Sequence, residues 1–233
     1  MLSECNKGDL PRITSIAVLD KQSSKMYNFS IHLAARQLNI KPSDILDNYK
    51  QIEEVMLERF FKFAEEKNEE SIWIHWNMKN TDFGFEVLEH KYKLLTGETA
   101  FHIKEINKCD LSYLLIKKYG SSYSKEPKMF NLMMLNYKVK SKSFLSPKEE
   151  VEAYKTWEFV KLYNSTICKV YFLKYVFTMM NTNNLMTDSK KLIYKVEALT
   201  RNPVIKILVV ISIILGIIGV SLILVILFLG ISF

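Results

Sequence analysis

Apolar positions along the chain change period several times, and each change marks an element. Residues 13–19 form a short apolar run rich in β-branched side chains, and residues 25–32 alternate, with Tyr27, Phe29 and Ile31 on one face. With the turn-like segment 20–24 between them, they predict a β-hairpin. The period then lengthens. Ile45, Tyr49, Ile52, Met56, Phe60 and Phe63 recur every three or four residues, which predicts a helix opening at Pro42 and Ser43 and running to about residue 66. Residues 71–76 read as a strand. A second helix follows, capped by Thr81 or Asp82, with Phe85, Leu88, Tyr92 and Leu95 on its apolar face and Gly97 at its C′ position. Residues 101–106 predict a further strand. Asp110 caps a short helix ending at Gly120, Pro127 opens another, and residues 154–181 form a long central helix.

The last stretch has no period at all. Residues 207–233 carry no charge, and Ser and Gly alone interrupt Ile, Leu, Val and Phe. At about 1.5 Å per residue such a helix crosses a hydrocarbon core of roughly 30 Å. Its flank holds Lys190, Lys191, Lys195, Arg201 and Lys206 against Glu197, which assigns the preceding residues to the cytoplasmic side. Met1 to Arg12 is polar and lacks the apolar core of a secretion signal. The expectation is a tail-anchored, single-pass membrane protein with the lipid bilayer as partner. Its parts are a cytoplasmic domain (1–181), a linker with a basic juxtamembrane helix (182–206) and a transmembrane helix (207–233). Ser212, Gly216 and Gly219 lie at i, i+4 and i+7, a small-residue face through which anchors would form a homo-oligomer.

Composition adds two points. A 48% hydrophobic and 24% charged chain is not disordered. Cys5, Cys109 and Cys168 have neither disulfide-framework nor zinc-site spacing. Charge changes the picture more. Residues 102–148 hold ten Lys and three acids (Glu105, Asp110, Glu126), a net of +7, while the remaining residues balance at 22 basic and 22 acidic groups. The whole formal charge therefore comes from one stretch, which suits a polyanion. Lys117, Lys118, Lys125, Lys128, Lys138 and Lys140 are its candidate contacts. Tyr113, Tyr119, Tyr123, Phe130 and Tyr137 interleave with them as candidate base-stacking groups.

No phosphate-binding glycine loop is present, and His75, Asp82 and His90 lack a metal-site spacing, so no metal ligands are assigned. One segment has more character. The segment from Trp73 to Gly97, read as a strand, then His75-Trp76-Asn77, then Asp82-Phe83-Gly84-Phe85 opening a helix, resembles the second motif of the DEDD-type 3′–5′ exonucleases. Asn6 to Ile13 is similar to the turn joining that family's first two strands. The resemblance covers roughly residues 1–180. It implies an α/β, RNase H-like fold: a mixed sheet flanked by helices. In that family four carboxylates hold two divalent metals, Mg or Mn, which activate water. Asp82 is the acid matched here. Glu4 sits one residue out of register and so points to the wrong face, and Tyr163 to Lys169 contains no acid. The resemblance thus implies a degenerate nuclease-like domain that binds nucleic acid or a nucleotide. The alternatives are a metal-dependent exonuclease or ribonuclease with Asp82 catalytic, or a membrane-perturbing effector or partner-binding protein of a bacterial defence system.

Overall fold

The computed structural model describes residues 12–68, 71–77, 84–137 and 142–190. The chain divides into two compact units, Met1–Leu185 and Met186–Phe233. In the second, residues 188–190 are helical; everything below concerns the first.

The predicted hairpin is present. Strands β1 (Ser15–Leu19) and β2 (Met26–Ser30) pair antiparallel, with Ser15 opposite Ser30 and Leu19 opposite Met26. The Asp20 carboxylate closes the turn by accepting from the Gln22 and Ser23 N–H groups and the Ser23 hydroxyl. Alternation puts Ile16, Val18, Tyr27 and Phe29 on one face. That face packs on helix α2 (Tyr49–Lys67), with the Phe29 and Phe60 ring centroids 5.6 Å apart and those of Tyr27 and Phe63 4.5 Å apart. The other face meets the long helix α7 (Phe159–Asn181), where Ser15 Oγ lies 2.7 Å from Thr166 Oγ1.

Four boundaries differ from expectation, the first being that of helix α3 (Phe85–Thr96), whose N-cap is Gly84 and not Thr81 or Asp82. Helix α1 (Ile31–Gln37) follows β2 directly, because Ile31, Ala34 and Ala35 bury on one helical face and end the alternation. Pro42–Asp44 makes one 3₁₀ turn, and α2 starts only at Tyr49, although its buried face is the predicted one. The expected helix from Tyr154 is two helices, α6 (Pro147–Lys155) and α7. Trp157 between them takes φ 57°, which no continuous helix accommodates. Helix α6 carries a capping box of Ser146 and Glu149 that the periodicity did not show.

Two side chains of α2 hold the start of the hairpin. Buried Glu53 accepts the Ile13 N–H at 2.7 Å, and the Tyr49 hydroxyl donates to the Ile13 carbonyl at 3.0 Å. Lys91 of helix α3 (Phe85–Thr96) lies 3.4 Å from Glu53. Burial raises the Glu53 carboxyl, and the Ile13 N–H and Lys91 offset only part of that. Gly97 ends α3 at φ 79°, as the C′ pattern predicts.

The second sheet corrects the fold class. Strands β3 (Trp73–His75) and β4 (Lys108–Asp110) pair in parallel, His75 beside Asp110. Residues 101–106 do not form the expected strand. Ile103 is fully buried, Ile106 is 87% exposed, and Glu105–Asn107 is a 3₁₀ turn. Among the described residues each sheet has two strands and the two sheets do not join. A mixed RNase H-like sheet flanked by helices is therefore not the architecture. The described chain is mostly helical: α2 and α7 pack on the two faces of a sheet of two strands, and β3 and β4 are only three residues long.

Helices α4 (Leu111–Tyr119) and α5 (Lys128–Tyr137) pack with α7 around a second core of Leu111, Leu115, Tyr123, Leu132, Phe144 and Phe172. The membrane assignment is also corrected. No helix among the described residues is long and apolar enough to cross a membrane. The longest, α7, carries Lys161, Lys169 and Lys174 along its length. A single-pass, tail-anchored protein is thus not supported. The expected span 207–233 and its Ser212, Gly216 and Gly219 face lie outside the described residues.

Candidate nucleic-acid interface

The basic stretch folds as β4, α4 and α5, and Asp110 sets the frame. As N-cap of α4 its Oδ1 accepts from Ser112 N at 2.9 Å, Ser112 Oγ at 2.8 Å, Tyr113 N at 3.3 Å and Asn77 N at 3.2 Å. Burial pushes this carboxyl upward, but the Ser112 hydroxyl and the three N–H groups outweigh it and hold Asp110 below the usual carboxylate range. Asp110 is therefore a structural anion, and the link to Asn77, which adopts φ 58°, ties the ends of both parallel strands to α4.

That frame decides which side chains α4 shows to solvent. Leu111 and Leu115 are fully buried, so Tyr113, Ile116 and Lys117 face outward; Tyr113 is 62% exposed. Tyr113 and Lys117 stand at i and i+4, one turn apart on the same face. Lys117 and Lys118 occupy the last turn, where cations complement the helix dipole. Lys118 is committed further. Its Nζ donates to the Met180 carbonyl at the end of α7 and lies 5.6 Å over the Tyr119 ring.

The connection to α5 brings Lys125 and Lys128 close along the chain to Lys117. Tyr123 in its middle is fully buried, and Lys128 Nζ lies 5.3 Å over its ring. Burial raises the hydroxyls of Tyr123 and Tyr119 above the ordinary tyrosine value. All three acids of the stretch are occupied locally. Glu105 pairs with Lys108, Glu126 lies 3.8 Å from Lys128, and Asp110 caps α4. Exposed Lys104, Lys117, Lys125, Lys142 and Lys148 carry the remaining positive field.

Of the candidate contacts, Lys117, Lys118 and Lys125 are exposed, although Lys118 also donates to the Met180 carbonyl; Lys128 is half-buried beside Glu126, and Lys138 and Lys140 lie outside the described residues. Of the five aromatics, Tyr119, Tyr123 and Phe130 belong to the second core, while Tyr113 and Tyr137 reach the surface. The pairing of Tyr113 with Lys117 is visible in the sequence only once Asp110 fixes where α4 starts.

Asp82, the acid matched by the exonuclease resemblance, lies outside the described residues. Tyr163, where the last acidic motif was sought, stacks edge-on against His32 at 4.7 Å. Among the described residues no three metal-ligating side chains converge. His75 packs on Phe85 with ring centroids 5.0 Å apart, and burial lowers its pKa, favouring the neutral ring. No protein-family model matches this chain, and neither does a curated protein or a solved structure.

Proposed function

We propose that this chain is a binding module for single-stranded nucleic acid, with the outer face of α4 and the α4–α5 connection as the contact surface. One observation carries the reading: a solvent-exposed tyrosine, Tyr113, stands one helical turn from exposed Lys117, inside the 47-residue stretch that supplies the protein's entire net charge of +7. Cations attract the phosphate backbone without regard to sequence, and an exposed aromatic ring offers each base a stacking partner. Because the three acids nearby are held by Lys108, Lys128 and the α4 N-terminus, they do not cancel the field at Lys117 and Lys125.

The test is fluorescence anisotropy with a labelled oligothymidine at low salt. Saturable binding is expected. Tyr113→Ala should weaken it by about 1–3 kcal/mol, the worth of one base stack, and Lys117→Glu with Lys125→Glu should weaken it more. Absence of binding by the wild-type chain, or equal binding by the charge-reversed variant, refutes the reading.

A further inference from the structure

Among the described residues no strand pairs with the outer edge of β2, and the hairpin's backbone geometry shows what that edge offers. Ile31 N–H donates to the Thr14 carbonyl and Asp20 N–H to the Lys25 carbonyl. In an antiparallel pair, bonded and non-bonded positions alternate, so with this register Tyr27 and Phe29 turn their backbone groups toward β1. Met26 and Asn28 therefore turn theirs outward. Among the described residues β2 pairs with β1 alone. Asn28 also has a buried side-chain carbonyl that accepts no hydrogen bond.

This edge does not face open solvent. It forms one wall of a groove whose other wall is α2. Four consecutive strand residues, Met26 to Phe29, line it, as happens along an edge rather than on a pleated face. From α2 come Arg59, Lys62, Phe63 and Glu66, the i, i+3, i+4 and i+7 positions of one helical stripe. The walls match in length: four strand residues and seven helical steps each span about 10 Å. They run antiparallel, since Tyr27 meets Phe63 and Phe29 meets Phe60. The charge around the groove has one prevailing sign. Arg59 and Lys62 lie on its helical wall, Lys25 Nζ sits 4.9 Å over the Tyr27 ring, and Glu66 is the one acid lining it.

We infer that this groove is a docking site for an extended acidic peptide segment of another protein, which adds to β2 as a third strand. Its main chain pairs with the outward groups of Met26 and Asn28, and its side chains on the α2 side meet the helical stripe, an apolar one resting on Tyr27 and Phe63 and a carboxylate reaching Arg59 or Lys62. Strand addition of this kind takes affinity from the main chain and selectivity from alternate side chains. The site is separate from the α4 surface, so neither reading depends on the other.

The probe is a pool of acetylated, amidated heptapeptides with Thr at the even positions and a mixture of Val, Ile, Tyr, Glu and Asp at the odd ones, so that one face carries both apolar and acidic side chains, titrated into the ¹⁵N-labelled full-length chain. Saturable shifts and slowed hydrogen exchange are expected at the Met26 and Asn28 amides. The same pool with N-methylated backbones, and a pool with Lys in place of the acids, should not bind. Arg59→Glu with Lys62→Glu should weaken binding about tenfold or more. Asn28→Pro should abolish it while sparing the β1–β2 ladder, because that N–H points outward. Should Asn28→Pro fail to fold, the N-methylated pool asks the same question of the intact chain. No saturable binding of the acidic pool, or equal binding of the N-methylated one, overturns the inference. So does a concentration-dependent dimer that protects the Met26 and Asn28 amides without peptide, since the edge would then serve a second copy.

Discussion

Asp110 is the residue whose loss most directly tests how the candidate surface is built. Asp110→Ala removes an N-cap and with it four hydrogen bonds, from Ser112 N, Ser112 Oγ, Tyr113 N and Asn77 N. Loss of a cap costs about 1 kcal/mol, and loss of a carboxylate at a helix N-terminus a further 0.3–1 kcal/mol or so. With the tie to Asn77 lost as well, a total of about 2 kcal/mol is expected. For a domain of this size that lowers the melting temperature by roughly 4–8 °C. Asp110→Asn keeps the cap geometry and loses only the charge, so its cost should be below 1 kcal/mol or so. The pH dependence has a definite sign. The folded-state pKa of Asp110 is depressed, so its contribution is present above the unfolded value of about 3.9 and disappears as pH falls through the lower folded value. Urea melts at pH 7 and pH 3 measure both effects. The gap between wild type and Asp110→Ala should be largest at pH 7 and narrow at pH 3. A gap under about 0.5 kcal/mol at pH 7, within the range of neutral surface changes, or a gap that widens in acid, would refute the assignment.

Further outcomes follow from the same reasoning. Glu53→Ala removes the acceptor of the buried Ile13 N–H and the carboxylate 3.4 Å from Lys91, and should cost about 1–3 kcal/mol in a urea melt. Glu53→Gln keeps an acceptor for Ile13 and should cost less. Because the Glu53 pKa is raised, wild type should gain on the Gln variant as pH falls toward the unfolded value of about 4.3 and lose ground as pH rises. Gly97 and Gly120 both have open space where a Cβ would stand, so Ala there tests backbone conformation alone. Gly120 (φ 83°, ψ 165°) lies in a region essentially confined to glycine, and Gly97 (φ 79°, ψ −8°) near the left-handed helix. Gly120→Ala should therefore cost more than Gly97→Ala, each within about 1–3 kcal/mol by thermal melt. Ser165→Ala strands the Leu145 N–H it accepts from at 3.1 Å and removes one bond to the Glu150 carboxylate, which keeps Lys169, and should cost about 1–3 kcal/mol.

Local signals in the sequence held at some element ends and not at others: α2 starts after Asn48 and not at Ser43, and α3 after Gly84 and not at Thr81 or Asp82. The Asp20 turn, the Asp110 cap and the glycine ends of α3 and α4 stand where their chemistry puts them. Apolar periodicity found the buried face of α2 but not its start, because the Pro42 turn and the helix share the same spacing. Strand assembly was not legible. Short apolar runs at 13–19, 71–76 and 101–106 look alike in sequence, yet one pairs in a hairpin, one makes three residues of parallel strand, and one is irregular. What decides is long-range: which segments find a partner strand at all, as residues 73–75 do at residues 108–110 and residues 101–106 do not. Of the surface, the charge surplus was legible from counting. Which lysines are committed to a neighbour was not, since that depends on ties such as Lys118 to the Met180 carbonyl, 62 residues away.

The most direct test of the central claim is the salt dependence of oligothymidine binding, measured by anisotropy on wild type and on the Lys117→Glu, Lys125→Glu double variant. Each phosphate contact on a single strand contributes about 0.7 to the slope of log affinity against log salt. The account predicts a linear fall for the wild-type chain and a slope shallower by about 1.4 in the double variant. Identical slopes for the two proteins would contradict it.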